Sequence, residues 1–153
     1  EPRAAAPFRR VETIRRLSAS GVPCGVLVAP IIPFLNDKDM EAVLEAAQDA
    51  GARMAGYTVL RLPWEVKDLF RDWLERHYPL KAKHVMARIR DMRGGRDNDP
   101  NFGSRMKGEG QFAELLRNRF GLACKRLGLN AGERNRLDTA KFRRPGPQQG
   151  ALF

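Results

Sequence analysis

Residues 22–37 read VPCGVLVAPIIPFLND, an apolar run that contains three prolines, two of them near its end, and closes with an Asn-Asp pair. The Val- and Ile-rich part is typical of a strand that is buried on both faces of a parallel sheet. Because proline has no N–H for the ladder, we place the end of this strand at Pro30 and Pro33. Asn36 or Asp37 then suits the N-cap of a following helix.

An alternation of helices and strands extends outward from this stretch. Apolar residues at helical spacing predict one helix before it and four after it, and a second apolar run that stops at a proline predicts another strand. The predicted helices are 7–21, 37–50, 65–79, 81–92 and 111–127, and the predicted strands are 22–32 and 53–63. This order indicates parallel strands covered by helices, an α/β fold.

Two of the helices carry complete apolar stripes, which we expect to face a core. The stripe of the 65–79 helix consists of Val66, Leu69, Phe70, Trp73, Leu74 and His77. The stripe of the 81–92 helix consists of Val85, Met86, Ile89 and Met92.

Basic residues are concentrated in the C-terminal half. Residues 80–153 hold 17 Lys and Arg against 7 Asp and Glu, a net charge of +10, and the whole chain also carries +10. Such a distribution favours a polyanionic partner, nucleic acid first. Charge alone leaves a solubilising basic surface as an equal alternative.

The glycine-rich segment 93–110 predicts a long loop with one aromatic residue set among cations. Its aromatic residue is Phe102, and its cations are Arg93, Arg96, Arg105 and Lys107. In such a pattern the cations contact phosphates and the ring stacks on a base. The loop is therefore the candidate nucleic-acid element.

Several classes of site leave no trace in the sequence. No apolar run approaches the roughly 20 residues of a membrane span. Cys24 and Cys124 suit free thiols in a reducing cytoplasm, and two cysteines and two histidines without ligand spacing predict no metal site in this chain. There is no nucleophile elbow, phosphate loop or dinucleotide fingerprint.

Two strands cannot form an independent α/β domain, because their faces and edges would stay open. We therefore expect this chain to be the second part of a βα barrel or open sheet, as a first residue other than Met also suggests. In such folds ligands bind at the carboxyl ends of the strands, where this sequence places Ala29, Pro30, Thr58 and Arg61. The alternative is that the prolines only stop the strands.

Residues 1–128 resemble the later half of radical SAM enzymes of the spore photoproduct lyase-like group, also described as DNA repair photolyase-like. The segments that carry the resemblance are EPRAAAP, GVPCGVLVAPIIP, RMAGYTVLRLP, the helix end ERHYP and the loop FGSRMKG. The strand end VAPI is the most specific of them. The chain has Phe102 where that lyase has a tyrosine, so the resemblance does not fix a thymine-dimer substrate.

The resemblance implies a partial (β/α)6 radical SAM barrel, a TIM-like fold, of which this chain supplies the last two β/α units plus C-terminal helices. Residues 1–79 would be the second part of the barrel, and residues 80–129 a helical extension that includes the 93–110 loop. Residues 130–153 would be a basic flexible tail.

The resemblance also implies S-adenosylmethionine and a 4Fe–4S cluster. The cluster's Cys-x3-Cys-x2-Cys ligands would lie upstream, in the N-terminal half of the same barrel, and a flavodoxin or ferredoxin would supply electrons. Val28, Ala29 and Pro30 would meet the adenosine, mainly through the Ala29 backbone. The residues nearest the nucleic acid would be Phe102, Arg105, Lys107 and Arg96. No catalytic residue is assigned.

Three hypotheses follow from the residues and the resemblance. The first is a lyase-like radical SAM enzyme that acts on DNA or another nucleic acid through a 5′-deoxyadenosyl radical, inactive as this fragment alone. The second is a radical SAM enzyme with a substrate that is not nucleic acid. The third is a basic nucleic-acid-binding module without catalysis. All three predict a cytoplasmic protein.

Overall fold

The computed structural model describes residues 4–132, 140 and 142–143. Its helices are α1 (Pro7–Ala19), α2 (Met40–Asp49), α3 (Val66–His77), α4 (Pro79–Asp91) and α5 (Gly110–Leu127), and its strands are β1 (Gly25–Ile31) and β2 (Met54–Val59). A 3-10 turn, Asp37–Asp39, precedes α2. The predicted alternation of helices and strands is confirmed, and the predicted basic tail lies almost entirely outside the described residues.

The described residues form a mixed α/β fold around one two-stranded parallel sheet, in which β1 pairs with β2. The register runs from Gly25 opposite Met54 to Val28 opposite Tyr57 and then shifts, so that Ile31 lies opposite Val59. The shift is a bulge, and its residues are Ala29 and Pro30, which are joined by a cis peptide bond.

One face of the sheet is covered by α2 and α5. The larger core cluster joins Tyr57 and Val59 of β2 to Met40 and Leu44 of α2 and to α5 residues such as Leu116. The expectation that the first strand is buried on both faces is wrong for the described residues. Alternate side chains of a strand point to opposite faces, and Leu27, on the face away from these helices, is 63% exposed.

A second core cluster lies between α3 and α4. The predicted inner stripe of α4 is confirmed, since Val85, Met86, Ile89 and the following Met92 are all buried. The predicted stripe of α3 is mostly wrong. Leu74 is buried, but Leu69 is 67% exposed and Trp73 40% exposed, because none of the described elements packs on that side of α3.

The helices after residue 79 share their cores with the elements before it. α5 packs with β1, β2 and α2, and α4 packs with α3. Among the described residues, no helix has the length and apolar character needed to cross a membrane.

Candidate functional site

The carboxyl ends of β1 and β2 form the rim at which the candidate site lies. The bulge residues Ala29 and Pro30 are exposed, whereas Val28 is half-buried and pairs with Tyr57. The bulge residues have no partner in the register with β2, so the Ala29 backbone is open to a ligand at this end of β1. The structure thus places the three predicted adenosine contacts at the rim.

Asn36 holds the end of β1 in place. Its side-chain oxygen accepts a hydrogen bond from the Ile32 N–H at 2.7 Å, and its amide donates to the Pro30 carbonyl at 3.0 Å. The predicted N-cap role is therefore wrong: no side chain caps the 3-10 turn or α2. The Asn36 amide instead bonds the Ile32 N–H and the Pro30 carbonyl, two backbone groups that lie outside the ladder where the prolines interrupt it.

The uncovered face of the sheet is lined by small residues near the rim. Ala29 shares this face with Leu27, and Gly56 lies opposite Leu27 in the register. A Cβ at Gly56 would lie 3.1 Å from Leu27 Cδ1, which is tighter than an ordinary contact. The absence of a side chain at position 56 keeps the backbone of β2 accessible from that face.

Arg93 joins the end of β2 to the glycine-rich loop. It is buried, and one of its terminal nitrogens donates to the Leu60 carbonyl at 2.9 Å while the other donates to the Arg105 carbonyl at 2.7 Å and the Ser104 carbonyl at 3.3 Å. Burial lowers the pKa of Arg93; Asp99 opposes that shift, and Arg61 adds to it. Arg93, which the sequence suggested as an exposed loop cation, is a structural link.

Two aspartates order the first part of the loop. Asp97 accepts hydrogen bonds from Arg71 at 2.6 Å and from Arg90 at 2.8 Å. Burial acts to raise the pKa of Asp97, but the two arginines together lower it. Asp99 accepts from the Ser104 hydroxyl and from the Asn101 N–H, and the Ser104 hydrogen bond is the main reason that its pKa is lowered.

Three of the predicted nucleic-acid residues remain accessible on this ordered loop. Phe102 is 83% exposed, and the Arg105 guanidinium carbon lies 4.5 Å from the centre of its ring. Arg96 is also exposed, and Arg105 is half-buried. An exposed ring with a stacked guanidinium is a suitable surface for an unpaired base.

Lys107, the fourth predicted residue, is turned toward the sheet. Its ammonium donates to the Tyr57 carbonyl at 2.7 Å and lies 3.4 Å from the centre of the Tyr57 ring. Burial lowers the pKa of Lys107, and the nearby Arg117 lowers it further. The structure therefore gives Lys107 a partner within the protein, apart from Phe102 and Arg105.

The chain offers no metal site among the described residues, and both described cysteines are free and buried. Burial raises the pKa of the Cys124 thiol, which disfavours the reactive thiolate. A surface groove of about 600 Å³ lies elsewhere, between α2 and α5, and three of its charged residues are in ion pairs: Glu41 with Arg119, and Arg126 with Glu45. These features leave the rim as the candidate site.

Comparisons with known proteins connect this chain to mycobacterial relatives. It is 32% identical over 88 residues to uncharacterized proteins of Mycobacterium tuberculosis (strain ATCC 25618 / H37Rv) and Mycobacterium bovis (strain ATCC BAA-935 / AF2122/97). The match covers 56% of this chain and 25% of each relative, so this chain spans about a quarter of the length of the proteins it matches. No protein-family model and no solved structure matches it.

Proposed function

We propose that this chain is the C-terminal half of a radical SAM iron–sulfur enzyme, cytoplasmic and lyase-like, that acts on nucleic acid. The resemblance over residues 1–128 suggests this function. The observation that supports it best is the open side of the sheet: within the described residues, no strand lies beside the outer edge of β1, and the face with Leu27 and Ala29 is uncovered. The remaining strands of a barrel and a ligand inside it would occupy these two positions.

The residues at the rim fit the adenosine of S-adenosylmethionine. The exposed bulge at Ala29 and Pro30 and the glycine at position 56 allow a flat ring to approach the backbone. When bound, S-adenosylmethionine and the cluster supply a 5′-deoxyadenosyl radical that removes hydrogen from the substrate. The contribution of this chain is binding: the Ala29 backbone against the adenosine, and the 93–110 loop against the nucleic acid.

The gene segment that precedes this chain tests the proposed enzyme. We expect a Cys-x3-Cys-x2-Cys motif within about 250 upstream residues of the same reading frame, roughly the size of a barrel. An upstream frame of that length without the motif refutes the radical SAM function.

An Ala29→Leu substitution tests the adenosine contact in the natural protein that contains this chain. We expect S-adenosylmethionine to bind at least about tenfold more weakly, because added side-chain atoms crowd the backbone contact. Ala42→Leu, at an exposed position on α2, is the matched control and leaves binding unchanged. A binding isotherm for Ala29→Leu equal to that of the unsubstituted protein contradicts the assignment.

A nucleic-acid-binding module without catalysis is the second candidate function, and the exposed Phe102 ring stacked with the half-buried Arg105 favours it. It shares the loop surface with the first proposal but needs no cofactor. A protein that binds nucleic acid in a salt-sensitive way but does not bind S-adenosylmethionine is this module. A protein that binds S-adenosylmethionine but not nucleic acid is an enzyme with another substrate.

A further inference from the structure

Two arginine side chains at the carboxyl end of β2 have no carboxylate partner among the described residues. Arg61 follows β2 by two residues, and Arg105 lies in the glycine-rich loop. Both are half-buried, and the Nε atom of each is buried without a hydrogen-bond partner. Within the described part of the chain, neither forms an ion pair with a carboxylate.

The buried guanidinium of Arg93 links the backbone beside these two arginines. One side of it bonds the carbonyl of Leu60, the residue before Arg61, and the other side bonds the carbonyl of Arg105 itself. Arg61 is also close enough to lower the pKa of Arg93. Residues 61 and 105 therefore flank a single side chain at the rim.

The acidic residue in this cluster, Asp99, bonds groups of its own loop rather than Arg61 or Arg105. Asp99 contacts the Ser104 hydroxyl and the Asn101 N–H through its two oxygens. Arg88, whose Nε is also buried and unbonded, differs because it pairs with Asp91 at 3.2 Å. A buried guanidinium nitrogen without an acceptor is costly, and an oxyanion is the group that satisfies two such donors at once.

We propose that Arg61 and Arg105 form a phosphate-binding site at the carboxyl end of β2, positioned by Arg93, and that it holds a phosphodiester of a single-stranded nucleic acid. The exposed Phe102 ring stacks on Arg105 and offers a base of the same strand a surface beside that phosphate. This assignment deepens the nucleic-acid part of the proposed function and rests on it. It does not need the radical chemistry.

Binding of a fluorescent 12-nucleotide single strand to the natural protein that contains this chain, followed by anisotropy from about 50 to 200 mM salt, tests the site. We expect Arg61→Met and Arg105→Met each to weaken binding about tenfold and to reduce the salt slope by about one. Arg53→Met is the matched control: Arg53 is exposed, adjoins the opposite end of β2, and loses the same charge. We expect less than a twofold change for it.

An experiment with inorganic phosphate distinguishes the two possible ligands of this site, free phosphate and a phosphodiester of nucleic acid. We expect phosphate to raise the thermal midpoint of the unsubstituted chain, and of Arg53→Met, more than acetate does at equal ionic strength. Neither Arg61→Met nor Arg105→Met should show this difference. If the two arginine substitutions abolish the stabilisation by phosphate and leave binding of the single strand unchanged, free phosphate is the ligand of the site. In that case the nucleic-acid function loses its support.

Two results overturn the proposal. One is equal behaviour of the Arg61, Arg105 and Arg53 variants in both measurements, and the other is equal stabilisation by acetate and phosphate. Arg61→Lys and Arg105→Lys keep the charge and replace the Met variants if those do not fold; we expect intermediate affinities because lysine lacks the two-pronged donor. An upstream frame without the cysteine motif would refute the enzyme and leave this site untouched.

Discussion

The two edges of the sheet differ in how they are finished. The outer edge of β2 is closed by groups that are not strands: Asn130 bonds both the N–H and the carbonyl of Ala55, Lys107 bonds the Tyr57 carbonyl, and the Met106 carbonyl accepts from the Val59 N–H. The outer edge of β1 has no strand beside it among the described residues.

This difference indicates the direction in which the sheet can grow. An edge whose donors and acceptors are satisfied by side chains and a loop cannot accept another strand, whereas an open edge is a template for one. The faces repeat the contrast, since α2 and α5 cover one of them and leave Leu27 exposed on the other. Among the described residues β2 therefore forms the closed side of the sheet, and further strands of the proposed barrel would pair with β1.

Removing the link at Arg93 should have the largest effect on the closed side. In Arg93→Met the carbonyls of Leu60 and Arg105 lose a buried donor, and we expect the free energy of unfolding to fall by about 3 kcal/mol. Urea denaturation measures the change. Arg96→Met, at an exposed site in the same loop, is the control, and equal losses in the two variants would mean that Arg93 does not hold the loop.

Removing the Asn130 side chain should reopen part of the β2 edge. Asn130 has a φ of 60°, so Asn130→Gly keeps the backbone favourable while deleting both bonds to Ala55. We expect a loss of about 1 kcal/mol, and hydrogen exchange should show that the Ala55 N–H is no longer protected. Asn130→Asp keeps an acceptor for the Ala55 N–H, so that amide should stay protected from exchange. A protected Ala55 N–H in the Gly variant would mean that Asn130 does not close the β2 edge.

The helical cover of the sheet should weaken in acid. Arg119 of α5 donates to both oxygens of Glu41 on α2, at 2.8 and 2.7 Å, and this hydrogen bonding lowers the pKa of Glu41 below its ordinary 4.5. A lowered folded-state pKa contributes stability above the unfolded value, and that contribution is lost as pH falls through the folded value. At pH 7, Glu41→Gln should cost about 1 kcal/mol. The difference in unfolding free energy between Glu41→Gln and the unsubstituted chain should shrink below pH 4.5. Urea midpoints of the two proteins that stay equally far apart across this pH range would contradict this account.

The uncovered face should give the smallest effect. Leu27→Ser should change the free energy of unfolding of this chain by less than about 0.5 kcal/mol, since the side chain already contacts water. Val28→Ser, on the covered face, should cost at least about 1 kcal/mol in the same urea titration. A large effect at Leu27 would mean that this face is covered in solution.

The hydrophobic periodicity of the sequence predicted the helices and strands well, but it predicted correctly for only some of them which faces are buried. The stripe ending in Ile89 and Met92 is buried as predicted, but the equally regular stripe with Leu69 and Trp73 is exposed. Periodicity shows which face of a helix is apolar and does not show whether a neighbour packs on it. For α3, none of the described elements does.

The site was predictable at the strand ends, and less so in the loop. Topology placed Ala29 and Arg61 at one rim, but Asn36 suited a helix cap equally well in the sequence, because its bonds to Pro30 and Ile32 depend on how the strand end turns. The burial of Arg93 was missed. Gly94 and Gly95, both with positive φ, turn the chain directly after it, and this glycine pair was the signal that a loop folds back over that arginine.

The closing of the β2 edge by Asn130 has a consequence for synthesis of the chain. Asn130 lies 75 residues after Ala55, so a ribosome that adds 5–20 residues per second needs about 4 to 15 s to produce the closing residue after the strand has been made. During that interval the Ala55 N–H and carbonyl on the outer edge of β2 lack this partner. Protection of β2 against edge-to-edge association is therefore completed late in translation.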